Sequence, residues 1–199
     1  MKNIIIGTVI SAIVFTACNS GKSKSDVSQN TMANDTSTGK SQTKDTITVI
    51  NEAKATVSIK EIVNNYLQLK NAFAKDNTTD AASSGTTLEA AFTNFDKSSL
   101  TADQKKTFEN IADDAREHAE HIGKNGGNIE HQREHFEMLS KDMYDLVKAF
   151  GGGQVLYKDF CPMYNKGKGA FWISETKEIQ NPYLGKKMPT CGVVKETMK

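Results

Sequence analysis

The sequence predicts a mainly α chain: an antiparallel up-down bundle of about four helices, with a small irregular C-terminal cap in which short strands are expected. Two observations predict it. Four consecutive segments carry apolar residues at three- and four-residue spacing, joined by short polar or glycine-containing connections. After them the composition changes. All three prolines and the single tryptophan fall within the last forty residues.

The first helix is expected over about 57–74, with Ile59, Ile62, Val63, Tyr66, Leu67, Leu69 and Phe73 as its apolar stripe. The second is expected over 78–95, on Leu88, Ala91, Phe92 and Phe95, with Asp76 as its N-cap. Ser83-Ser84-Gly85 weakens its first half and predicts a break there. The third is expected over 101–122, capped by Thr101 and stopped by Gly123 and Gly126-Gly127. Its face is Phe108, Ile111, Ala112, Ala115, Ala119 and Ile122. The fourth, over 128–150, steps through Ile129, Gln132, Phe136, Leu139, Met143, Leu146 and Phe150, and Gly151-Gly152-Gly153 ends it. In the cap, about 151–199, strands are expected at 155–160, 170–173 and 192–194. The cap is expected on one end of the bundle.

Residues ahead of the bundle read as an address. Lys2, an apolar run from Ile4 to Phe15 and then small residues make 1–17 a secretory signal. The run is too short to span a bilayer as a helix. Phe15-Thr16-Ala17-Cys18 is similar to a bacterial lipobox, which makes Cys18 the expected lipidated residue. Residues 18–46 are almost free of apolar side chains and are expected to form a disordered tether. One domain, 47–199, remains. The chain is therefore expected to be exported and lipid-anchored to the cell envelope, at the outer membrane or periplasmic face. A formal net charge of +1, without a basic stripe, argues against a nucleic-acid partner. No nucleophile–base spacing, phosphate loop or dinucleotide turn is present, so no enzyme is expected.

Two sets of side chains carry ligand chemistry. The tail holds Cys161-Pro162-Met163 and Met188-Pro189-Thr190-Cys191, and thiolate with thioether selects Cu(I) and other soft ions. The same cysteines could close a thirty-residue disulfide loop, the default in an oxidising compartment and worth roughly 3–4 kcal/mol. Met163 and Met188 could equally fill gaps in a core. The helices hold His118 with His121 and His131 with His135, each pair on one side of its helix. Asp114 is placed to orient His118. Flank histidines of this kind are also commonly solvated or bound to neighbouring carboxylates, and Glu117, Glu120, Glu130 and Glu134 are near.

The run from Cys161-Pro162-Met163 through Gly169-Ala170-Phe171-Trp172-Ile173-Ser174, Ile179-Gln180-Asn181-Pro182-Tyr183, Gly185, Met188 and Cys191-Gly192 resembles a signature of the family called domain of unknown function 3347. His131-Gln132-Arg133-Glu134-His135-Phe136 with Leu139-Ser140 resembles its second signature, and Glu120-His121-Ile122 a weaker third. The resemblance spans about 57–195. The family occurs as small exported proteins and at the C-terminus of periplasmic adaptors of copper and silver efflux pumps. That company implies a copper ion as ligand and a heavy-metal efflux adaptor as partner. Carried over by position, it implies metal ligands at Cys161, Met163, Met188, Cys191, His121, His131 and His135, with His118 outside the signatures. It also implies that Arg133 ties a carboxylate or tail carbonyls to the helix, that Phe136 and Ser140 dock the tail, and that Trp172, Asn181-Pro182 and Tyr183 serve packing and turns.

Overall fold

The computed structural model describes residues 58–199. The expected signal 1–17, the expected lipidation site Cys18, the expected tether 18–46 and the first residues of the expected domain, 47–57, lie outside the described residues. Four helices, α1 (Lys60–Ala74), α2 (Thr78–Thr93), α3 (Ala102–Lys124) and α4 (Ile129–Phe150), precede three strands, β1 (Leu156–Cys161), β2 (Ala170–Ser174) and β3 (Val193–Met198). The strands make one antiparallel sheet with β1 in the centre.

The apolar stripes face one core. Tyr66, Phe73, Phe108, Ile122, Phe136 and Leu139 are all fully or almost fully buried. Consecutive helices pack side by side, whereas α1 and α4 touch only lightly. Gln132 fixes their direction. Its amide nitrogen donates to the carbonyl of Thr78 at 3.1 Å and to that of Ile122 at 3.0 Å. The start of α4 thus lies beside the start of α2 and the end of α3, as antiparallel neighbours require.

Three local expectations need correction. Asn77, not Asp76, caps α2: its side-chain oxygen accepts the backbone N–H of Asp80 at 3.0 Å. Asp76 instead turns into the left-handed region at φ 55°, and its carboxylate faces Arg133. No break occurs at Gly85, because α2 crosses α3 there. A Cβ on Gly85 would stand 2.9 Å from both the Ala119 carbonyl and the Gly123 nitrogen. Gly123 does not stop α3 either; it forms the other half of this contact, beside Thr86. Close packing of two backbones offsets the weak helix propensity of glycine. The cap of α3 is as expected: Thr101 and Gln104 exchange side-chain and backbone hydrogen bonds in a capping box.

The tail is not an end cap. It lies along the flank left open between α1 and α4. At mid-helix the Tyr66 hydroxyl hydrogen-bonds Ser140 Oγ at 2.8 Å and accepts the Ile173 N–H at 3.1 Å. Phe136 packs against Tyr183, whose hydroxyl donates to the Phe171 carbonyl at 2.6 Å. Toward the end of α4, Lys148 and Tyr144 hold Glu196 of β3 at 3.0 and 2.9 Å. Toward its start, Arg133 Nε donates to the Pro182 carbonyl at 2.7 Å. An open bundle seam buries its apolar stripe only if something covers it, and Trp172 and Ile173 do so.

The buried seam also holds charge that helical periodicity does not reveal. Lys70 is fully buried and reaches Glu175 at 2.8 Å, where Asn71 also donates at 2.8 Å. Burial opposes ionisation of Glu175, but these donors hold its carboxyl below the usual range. Asp159 is fully buried on β1, paired across the sheet with Trp172. Among the described residues, neither its carboxylate oxygens nor Trp172 Nε1 finds a hydrogen-bond partner. Burial pushes the Asp159 carboxyl up to about 7, with Lys70 opposing and Glu175 assisting.

Gly85→Ala is expected to lower stability by about 1–3 kcal/mol in denaturant unfolding, since α2 and α3 must part to admit the methyl group. An unchanged midpoint would mean that the crossing is loose. Asp159 gives a pH test. Its folded pKa lies above its unfolded one, so the folded state binds the extra proton between roughly pH 4 and 7. Stability from this group is full at the acid end of that window and is lost as pH rises through it, by on the order of a few kcal/mol. Asp159→Asn is expected to flatten that slope and to gain on the wild type at pH 8; parallel pH profiles would refute it.

Candidate metal centre

The four histidines meet where α3 turns back into α4. Asn125 ends α3, and its side chain donates to the His121 carbonyl at 2.8 Å. Asn128 caps α4 by accepting the His131 N–H at 3.3 Å. This tight turn sets the last turns of α3 beside the first turns of α4. The result is one cluster: His121 stacks on His135 with ring centres 4.3 Å apart, and His131 meets His135 edge-on at 4.7 Å. Ligand atoms of His121, His131 and His135 all lie within 4.8 Å of one another. His118 joins through His135, with their Nδ1 atoms 3.2 Å apart.

The carboxylates nearby are loosely placed. Glu117 stands 3.9 Å from His121 and Glu134 3.6 Å from His131, both beyond hydrogen-bond range. Asp114, expected to orient His118, makes no hydrogen bond to it; the ring's partner is His135. Burial pushes the His135 imidazole down to about 4, helped by the neighbouring rings of His121, His118 and His131. Burial also holds His118 below the ordinary histidine value, against the pull of Glu117 and Asp114. At neutral pH both rings carry a free lone pair, which is the form that ligates metals.

The sulfur set lies elsewhere, on the tail. Cys161 ends β1 and is buried; Cys191 precedes β3 and is half-buried. Their sulfurs are 2.9 Å apart. Buried Asn181 shapes the loop that brings them together. Its side chain donates to the Cys191 carbonyl at 2.6 Å and accepts the N–H groups of Tyr183 and Leu184 at 2.8 Å each. The Cys191 N–H bonds the Met188 carbonyl at 3.1 Å. The contact with Cys161, and then burial, raises the Cys191 thiol, while the Met163 N–H favours its thiolate. Met163 and Met188 are 59% and 38% exposed, which rules out a core-filling role. Neither cysteine joins the imidazole group, so the residues expected as one set form two.

Arg133 has the structural task expected of it. Besides Pro182, it donates to the Phe73 carbonyl at 2.9 Å and to Asp76 at 2.6 Å. Asp76 in turn accepts the Lys186 N–H at 2.9 Å. The guanidinium and the hydrogen bonds hold the Asp76 carboxyl below its usual range against the effect of burial. Gly185, at φ 51°, lets the tail backbone come this close.

Among known families, the one described as "Protein of unknown function (DUF3347)" matches residues 62–154. The helical part of the chain is similar to this family. The match contains all four helical histidines and ends before the first tail cysteine, so it is shorter than the 57–195 expected from the motifs. No curated protein and no solved structure matches the chain. The likeness therefore rests on the helical part of the chain.

His135 gives a test of the cluster's electrostatics. Its folded pKa lies below its unfolded one, so the unfolded state binds the extra proton between about pH 4 and the ordinary histidine value. Stability is full above that window and falls as pH drops through it. His135→Gln is expected to lose less stability than the wild type between pH 7.5 and 5; an identical loss would place His135 in ordinary solvent.

Proposed function

We propose that this domain is a metal-binding module of the cell envelope, with copper as its principal ion, acting in efflux or buffering and not as an enzyme. The observation that carries the reading is the imidazole group of His121, His131 and His135, whose ligand atoms lie within 4.8 Å of one another. Imidazole suits copper and zinc. Cys161, Cys191, Met163 and Met188 add a soft-ligand set on the tail, suited to Cu(I). A lipid on Cys18 would hold the module at the membrane, and a heavy-metal efflux adaptor is the partner that the motif resemblance suggests.

A second reading is favoured by one distance. Sulfurs 2.9 Å apart are also placed for a Cys161–Cys191 disulfide, which would make the tail a stapled element of a structural or partner-binding domain.

An anaerobic Cu(I) titration of the full-length protein against a coloured chelator, with thiols counted in the same sample, separates the two. The metal reading expects retained copper and titratable thiols, with loss of Cu(I) in Cys161→Ser or Cys191→Ser. No retained copper together with joined cysteines would leave the structural reading.

A further inference from the structure

We infer that His118 completes a four-imidazole site for a divalent transition-metal ion, Zn(II) or Cu(II), separate from the sulfur set of the tail. The inference rests on the metal-binding reading above and assigns the ion class and a further ligand to its imidazole half.

The spacing of the rings carries it. His118 Nδ1 and His135 Nδ1 stand 3.2 Å apart. Two nitrogens each about 2.0–2.1 Å from one zinc ion at a tetrahedral angle stand about 3.3–3.4 Å apart. The pair already has the bite of two ligands on one ion. His135 is also common to the group of His121 and His131. His135 is thus the shared ring: His118 meets it at Nδ1, while His121 and His131 complete the group of three around it, and a rotation of the His118 or His135 ring would bring the fourth imidazole onto the same ion. All four rings are half-exposed, which leaves an entry path from solvent and room for the small ring rotations that close the set.

The donor chemistry then decides the ion. Nitrogen-only ligation suits Zn(II), Cu(II) and Ni(II), whereas Cu(I) is selected by thiolate and thioether. The sulfur ligands that would shift the preference are not in this group. Their separation has a structural cause: the histidines lie between α3 and α4, while the tail covers the flank between α4 and α1. The two sets match two kinds of ion, and neither needs the other to be loaded.

The test is a competition titration of the full-length protein with Zn(II) and Cu(II) against a chromophoric chelator. His118→Ala is expected to weaken divalent binding at least about tenfold with the unfolding midpoint unchanged. The Cys161→Ser/Cys191→Ser variant is expected to bind divalent ions as the wild type does. Co(II) on the unaltered protein gives an independent readout: strong visible bands of four-coordinate cobalt, without a sulfur-to-cobalt charge-transfer band. Undiminished binding in His118→Ala overturns the fourth ligand and leaves the metal reading standing. A charge-transfer band, or divalent binding lost in a folded serine variant, overturns the separation of the sites. A wild type that takes up none of these ions, nor Cu(I), sinks the inference and the reading beneath it together.

Discussion

The tail's position depends on one side chain, Arg133. Its guanidinium binds the end of α1 through the Phe73 carbonyl, the loop after it through Asp76, and the tail through the Pro182 carbonyl. Asp76 completes the knot by accepting the Lys186 N–H. A planar, permanently charged group with several fixed donors can hold three stretches of chain at once; a lysine ammonium in its place would lack that geometry. The network is half-buried, Nε and Nη2 of the guanidinium each donate to an acceptor, and Asp76 supplies the opposite charge, which is the condition under which such a charge stabilises. Asp76 takes a left-handed backbone, and Gly185 a positive φ, because both must turn into this knot.

The first two turns of α4 thus serve two surfaces. Arg133 lies two residues from His131 and two from His135, so it leaves the helix on roughly the opposite side from them. On one side the helix grips the tail. On the other it sets two imidazoles against α3. The tail and the histidine cluster are held by the same rigid element without touching the same face of it. Closing the α1–α4 flank with the sheet keeps α4 in place, and the Asn125–Asn128 turn keeps α3 in register with it.

Charge inside the seam gives the structure two opposed responses to acid. Asp159 is buried without a hydrogen-bond partner among the described residues and favours the folded state at lower pH, whereas the crowded rings of His118 and His135 disfavour it there. The first belongs to the tail sheet and the second to the α3–α4 seam. They therefore report separately on the two halves of the domain.

Much of this was legible in the residues alone. Three-four periodicity located all four helices, because burying one stripe of a helix imposes that spacing wherever the helix packs. The change of composition after the last helix located the strands, and the motifs named the family and the role of Arg133. Pairwise packing was not legible. Gly85 and Gly123 look like helix breakers until two backbones are seen to cross there, and Asp76 looks like a cap until a distant arginine claims it. Buried Lys70 and Asp159 follow no local pattern, since their surroundings come from segments about a hundred residues apart. The ligand set shows the limit most clearly. Sequence spacing placed each histidine pair on one helix, His118 with His121 on α3 and His131 with His135 on α4. Only the tertiary structure decided that the sulfurs meet each other and not the imidazoles, and that His118 meets His135. Spacing along a chain determines which residues share a face, but which faces meet is determined by how the apolar stripes are buried together.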